Sequence, residues 1–178
     1  MTRSKISAFY LLSAIGLVAC SPALNWRQLN LDSGGIQVLM PCKPDNARRE
    51  VTLRADKKEL AVTLELQGCE ASAMQFTFGQ MPVPPGLQAS AVMEAWRLAS
   101  LAPLQHEGEK DQPADWELLG ARADPPPTRM RLMSTKHQAQ FVWFAHGQNI
   151  YQAAVYGNHL DKGLPEAAET YFSGIKLP

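Results

Sequence analysis

Apolar side chains recur at every second position through most of the chain from residue 26 onward, which is the period of a half-buried β-strand. The alternation predicts strands over residues 26–31, 36–40, 51–55, 60–68 and 74–78. It returns over residues 116–122, 129–134, 139–145 and 150–156. The segment Asp32-Ser-Gly-Gly35 joins the first two strands and is typical of a hairpin turn. We therefore expect a mainly antiparallel sheet.

The period becomes helical in two places. Residues 87–104 follow a proline-rich stretch and carry Ser90 as the expected N-cap, with Trp96 on the apolar stripe that faces the core. A second helix is expected from about Pro165, a residue type that suits the first helical position. Residues 105–115 between these regions are polar and predict a loop.

One strand is apolar on both faces, since Phe141 and Trp143 point one way while Val142 and Phe144 point the other. Such a strand has to be covered on both sides. The pattern therefore predicts an α+β fold in which a single, mainly antiparallel β-sheet is covered by helices on both faces, an α/β/α sandwich.

The first residues resemble an export signal. A basic start precedes an apolar run over residues 6–18, which is too short to span a bilayer. An ordinary cleavage site needs small residues at −1 and −3, yet Leu17 stands at −3 from Cys20. The stretch Leu17-Val-Ala-Cys20 instead resembles a lipobox, in which the cysteine thiol is lipidated and the chain is cut before it. The alternative is that Cys20 merely ends a discarded peptide.

This interpretation divides the chain into a lipoprotein signal peptide (1–19), a lipidated Cys20 with a short tether (20–25) and a single domain (26–178). The tether reaches only about 20 Å at roughly 3.3 Å per residue, so the domain is expected close to the membrane that it is anchored to. Ser21, rather than Asp, after the lipidated cysteine favours the periplasmic face of the outer membrane by the usual sorting rule.

The charge balance argues against a nucleic-acid partner. The chain has 17 basic and 17 acidic residues, and loss of Arg3 and Lys5 with the leader leaves 15 basic residues. No run of five Lys or Arg residues occurs. A nucleic-acid surface is therefore not expected, and contact with the membrane is expected through the lipid anchor alone.

Two cysteines remain in the predicted domain, Cys42 and Cys69. An even pair in an exported chain predicts a disulfide bond. Neither cysteine has a second Cys or a His within four residues, so the spacing of a zinc site is missing. No metal site is expected.

The stretches "IQVLMPCKP", "GQNIYQAAVYG" and "AAETYFSGIKLP", with a helix after "PVPPG", resemble in order and spacing the PsbP/Mog-like α/β/α sandwich. The pairing of "PCKP" with "GCEA" resembles a subgroup of proteobacterial lipoproteins. Known members of this fold mostly work by binding, and the resemblance therefore implies a binding role. It carries no binding residue onto this chain.

The sequence contains no catalytic or cofactor-binding motif: it has no Gly-x-Ser-x-Gly, no phosphate-binding loop and no dinucleotide glycine pattern. No catalytic residue and no cofactor is therefore expected. Arg122, Arg129 and Arg131 flank three prolines and could converge on a carboxylate or phosphate. The alternative is that they pair with local acids such as Glu117.

The proline-rich stretch is the other candidate binding surface. Met81, Pro82, Pro84 and Pro85 could present a rigid edge to a partner, or they could form only a turn into the helix. The sequence thus predicts a non-catalytic module that binds another envelope protein. A small-molecule or lipid-binding lipoprotein that uses a crevice between sheet and helix is the alternative, and an enzyme comes third.

Overall fold

A computed structural model describes residues 24–31, 35–55, 58–104, 108–110 and 113–178. The predicted signal peptide, Cys20 and most of the predicted tether lie outside these residues. No helix within the described part of the chain is both long enough and apolar enough to cross a membrane.

The described residues form ten strands and two α-helices. The strands are β1 (Arg27–Asn30), β2 (Gln37–Met40), β3 (Asp45–Ala55), β4 (Lys58–Ala71), β5 (Met74–Pro82), β6 (Gly108–Lys110), β7 (Ala114–Asp115), β8 (Thr128–Ser134), β9 (His137–His146) and β10 (Asn149–Asn158). The helices are α1 (Ala89–Leu101), which continues as a 3-10 turn over Ala102–Leu104, and α2 (Leu164–Ser173).

The large sheet has the strand order β3-β4-β5-β10-β9-β8-β6, and β7 also pairs with β8. Strands β1 and β2 form a separate two-stranded sheet, as the hairpin signal predicts. Every one of these strand pairs is antiparallel. The expectation of an α+β fold built on an antiparallel sheet is therefore confirmed, and most of the described structure is sheet. The expectation of a single sheet is wrong, because β1 and β2 pair only with each other among the described strands.

Two clusters of buried apolar residues account for the doubly apolar central strands. Phe141 and Trp143 of β9 pack in a cluster with α1, which includes Trp96 at 4% exposure. Val142 and Phe144 of the same strand pack in a second cluster, to which α2 and the β1–β2 hairpin both contribute. Trp96 is thus a core residue, as the helical stripe predicts.

Residues 116–122 do not form the predicted strand and are instead irregular chain and turn. Trp116 and Leu118 alternate with exposed neighbours, which produces the period of a strand. Trp116 packs against Phe144 and Phe172, with ring centroids 6.3 and 6.4 Å away, and none of the described strands pairs with it. The alternation over this segment therefore reflects packing of side chains against the core, and it does not reflect pairing with another strand.

The first helix also begins differently from the prediction. Its N-cap is Gln88, which makes no side-chain capping bond, so Ser90 lies inside the helix and does not cap it. The polar stretch after this helix contains the short strands β6 and β7, which propensity alone did not indicate.

Strand β3 begins at Asp45, six residues earlier than predicted, and pairs with β4 along its whole length. Its first six residues are exposed. This half of β3 is consequently a sheet edge that lies outside both core clusters, and it forms the open side of the cleft described next.

Candidate functional site

A cleft of about 330 Å³ lies on one face of β3, β4 and β5, beside the end of the β1–β2 hairpin. Residues that are directly opposite on neighbouring strands lie on the same face of a sheet. The strand register therefore arranges the side chains of the cleft in two rows of three. The rows are Arg48–Glu65–Gln80 and Asn46–Gln67–Phe78.

The first row is polar and internally paired. Glu65 stands between the other two: Gln80 Nε2 donates to Glu65 Oε2, and Arg48 Nη1 lies 3.6 Å from Glu65 Oε1. The Arg48 and Glu65 side chains are 71% and 44% exposed, so this ion pair is weak. Arg48 can therefore turn toward a ligand at little cost.

The second row contains an unusual buried acceptor. Gln67 Oε1 is buried and accepts no hydrogen bond from any residue that the structure describes. Phe78 is 2% exposed and Leu31 on the hairpin is 6% exposed, so the wall and floor beside this atom are apolar. A buried acceptor without a donor is costly, and it favours a ligand or partner that brings an N–H or O–H group.

A disulfide holds the two walls of the cleft together. Cys42, just after β2, is bonded to Cys69 of β4, and the Cα atoms are 6.0 Å apart, within the range that a disulfide spans. The predicted bond is therefore confirmed. It joins the hairpin to the strand that carries Glu65 and Gln67, and so fixes the position of the hairpin beside the cleft.

The side chain of Arg129 makes its contacts within the fold. Its guanidinium donates to Glu169 of α2 at 2.7 Å and to Gln140 of β9 at 2.8 Å, and it lies 5.3 Å from the ring centroid of Phe172. Arg129 thus joins the sheet to α2, and its acidic partner is Glu169 and not the Glu117 suggested by proximity in sequence.

The other two arginines are exposed. Arg131 is on the same face of β8 as Arg129, because the two are two positions apart in a strand. Arg122 lies in the irregular segment before β8, where its backbone N–H donates to the carbonyl of Ala145 at 2.8 Å. With Arg129 held by α2, a three-arginine anion site would need that contact to be broken, and convergence of the three stays a prediction.

The proline-rich stretch is divided between core and surface. Met81 is 1% exposed and packs with α1, so the expectation that it forms part of a contact surface is wrong. It points inward because it alternates with the exposed Pro82 at the end of β5. Pro85 is exposed and Pro84 is half-buried, and these two with Pro82 remain the candidate edge.

The phenols of Tyr171, which is buried, and Tyr156, which is partly buried, are structural. Tyr171 on α2 donates to the carbonyl of Thr77 on β5 at 2.8 Å, and burial, reinforced by nearby Tyr156, raises its pKa well above the usual value. Burial also raises the pKa of Tyr156 to about 12, against a smaller lowering by a hydrogen bond with Thr77. Both stay protonated at neutral pH and serve packing.

No protein-family model and no curated protein sequence matches the chain. The structure is similar to the solution structure of cyanobacterial PsbP (CyanoP) from Synechocystis sp. PCC 6803, with a TM-score of 0.54. The match covers 90% of this chain and 96% of that one, at 8% sequence identity. The predicted PsbP-like fold is therefore confirmed. At this identity the likeness shows the fold alone.

Sequence reasoning did not find the cleft. Asn46, Gln67 and Phe78 become neighbours only through the register of three strands, and none belongs to a motif. The one available signal was that Thr63, Glu65 and Gln67 place polar side chains at successive positions on one face of β4, and this pattern does not reveal that Gln67 lacks a partner among the described residues.

Proposed function

We propose that this protein is a lipid-anchored envelope lipoprotein that faces the periplasm and binds another envelope protein without catalysing a reaction. The observation that carries the proposed location is the disulfide between Cys42 and Cys69. Disulfides persist in oxidising compartments such as the periplasm and are rare in the cytosol. This bond supports export, and the stretch Leu17-Val-Ala-Cys20 supports lipidation at Cys20.

We also infer the complete α/β/α sandwich. Successive residues of a strand point to opposite faces of its sheet. Phe141 and Trp143 share a cluster with α1, whereas Val142 and Phe144 share one with α2 and the hairpin. This alternation favours α1 on one face and α2, extended by the β1–β2 hairpin, on the other.

Binding of a protein is favoured over binding of a lipid by the character of the cleft. A lipid chain needs a closed apolar cavity, whereas this cleft is open to solvent and combines apolar walls with Arg48, Glu65 and Gln67. A mixed surface with an exposed rim is what partners in protein–protein contacts present. Of the ligands that the small-molecule alternative allows, this cleft is suited only to polar ones.

Replacing Cys20 tests the anchor. In cells, Cys20→Ser should move the protein out of the membrane fraction or halt its processing, whereas Ser21→Ala should leave both unchanged. Membrane attachment of a correctly cut Cys20→Ser chain would refute the lipid anchor.

Crosslinking in intact cells tests the binding role. A photoreactive residue in place of Pro85 should capture one reproducible envelope protein, and Pro84→Ala with Pro85→Ala should weaken chemical crosslinking without changing the urea midpoint. Absence of any reproducible protein product, together with a small molecule that copurifies in a one-to-one ratio, would replace the protein-binding proposal with its alternative.

A further inference from the structure

The cleft offers hydrogen-bonding groups of both kinds and no net charge. Arg48 and Glu65 balance each other, while Asn46 and Gln67 add two side-chain amides in the same row. A strongly charged ligand would meet a like charge as well as an opposite one. The complementary group is therefore neutral and carries both a donor and an acceptor, which describes an amide.

Gln67 determines which group of the ligand amide faces the buried part of the cleft. Its Oε1 is buried and without a donor among the described residues, so it needs an N–H from outside the fold. Leu31 and Phe78 stand beside it, so the group next to that N–H should be apolar. A peptide unit followed by an apolar side chain meets both requirements.

The surroundings of the cleft fit a chain that continues beyond it. The first six residues of β3, which include Asn46 and Arg48, are exposed, so the cleft is open toward this edge of the sheet. A volume of about 330 Å³ is near the lower end of the range of about 300–1,000 Å³ for ligand sites, enough for a short piece of chain.

We propose that this cleft binds an extended peptide segment of the partner, which donates a backbone N–H to Gln67 Oε1 and places an apolar side chain beside Leu31. This inference rests on the proposed binding function and names the class of ligand. The peptide crosses the face of the β3–β4–β5 sheet. It does not add a strand to the edge of β3, which the charged residues Arg48, Arg49 and Glu50 protect against pairing.

Titration of a blocked tripeptide tests the proposal. The full chain, purified in detergent micelles with its disulfide intact, is titrated with N-acetyl-Gly-Leu-Gly-amide, and binding is followed by saturation-transfer NMR. We expect binding that is stronger than that of N-acetyl-Gly-Gly-Gly-amide. Gln67→Met should weaken it about threefold to tenfold, the effect of one lost hydrogen bond.

Two further variants distinguish a loss of binding from a loss of folding. Asn46→Ala alters an exposed residue of the cleft and should also weaken binding, whereas Gln75→Met, on the opposite face of β5, should leave it unchanged. Binding that Gln67→Met and Asn46→Ala leave unchanged would overturn the proposal in favour of another surface. So would free leucine that binds as tightly as the tripeptide, or no binding of the tripeptide at all.

A photoreactive residue separates this inference from the general binding role. Placed at Asn46 it should capture the partner, whereas at Thr52, six residues along the same face of β3, it should not. A partner captured through Pro85 but not through Asn46 would refute the peptide cleft and leave the binding function standing. Tripeptide binding with no captured protein at any position would refute the binding function instead.

Discussion

Replacing Gln67 with methionine should stabilise the protein. Methionine matches glutamine in chain length, and it removes the amide whose Oε1 is buried without a hydrogen-bond donor among the described residues. The neighbours Phe78 and Leu31 are apolar, so a thioether can pack where the amide oxygen now lies. Natural binding sites keep such unfavourable groups when a ligand satisfies them.

The expected gain follows from the cost of the unsatisfied acceptor. Leaving a buried polar group without a partner costs about 1–3 kcal/mol. Gln67 as a residue is only half-buried, so the lower end of that range, about 1 kcal/mol, applies. For a domain of this size such a change raises Tm by about 2–4 °C.

Urea unfolding of the oxidised protein measures this gain. The midpoint should rise while the m-value stays constant, since the surface exposed on unfolding is unchanged. Gln138→Met is the matched control, because Gln138 is 3% exposed and its amide donates to the carbonyls of Asn158 and Asp161. That variant should lose stability. A Gln67→Met midpoint at or below that of the wild type would refute the claim that this acceptor is unsatisfied.

Three further predictions concern the fold. Gly174→Ala should lower the free energy of unfolding in urea by about 1–3 kcal/mol, since the new Cβ would lie 2.3 Å from Leu39 Cβ. Unchanged stability would contradict the close approach of α2 and β2. Replacing Cys42 and Cys69 by alanine should cost about 3–4 kcal/mol for their separation of 27 residues, and an unchanged urea midpoint would contradict a structural bond. Stability should fall as the pH rises from 10 to about 12, because the unfolded state releases the Tyr156 proton first. Tyr156→Phe should reduce that fall in urea midpoints measured across this range, and an identical pH dependence would contradict the raised pKa.

Local patterns predicted the elements whose burial is simple. Strands β2, β9 and β10 and helix α2 were found within a few residues of their observed bounds, because their apolar period follows directly from the faces that they bury. The same rule failed at Trp116, where alternation reflects packing on Phe144 and Phe172 and no strand of the described part of the chain pairs with it. Periodicity reports which residues are buried, but it does not report what supplies the backbone hydrogen bonds.

The contacts of the candidate binding residues are long-range, and local sequence patterns could not predict them. Arg129 was expected to pair nearby or to bind an anion, yet its partner Glu169 is 40 residues away on α2. Met81 was placed on the surface because it precedes the prolines, although alternation within β5 turns it inward. The cleft depends in the same way on the register of β3, β4 and β5, which no single segment specifies.

The position of the proline edge relative to the start of the described chain supports a division between attachment and recognition. Trp26 packs edge-on against Phe76, with ring centroids 5.9 Å apart, and Leu24 lines a surface pocket with Met74 at the beginning of β5. Gln80 is six residues further along that strand, which corresponds to about 20 Å at roughly 3.3 Å per residue. An anchor at Cys20 would therefore hold the beginning of β5 near the bilayer. It would leave the proline edge at the far end of the strand, where segments of other envelope proteins can reach it. The cleft lies between the two ends, with Phe78 two residues beyond Phe76.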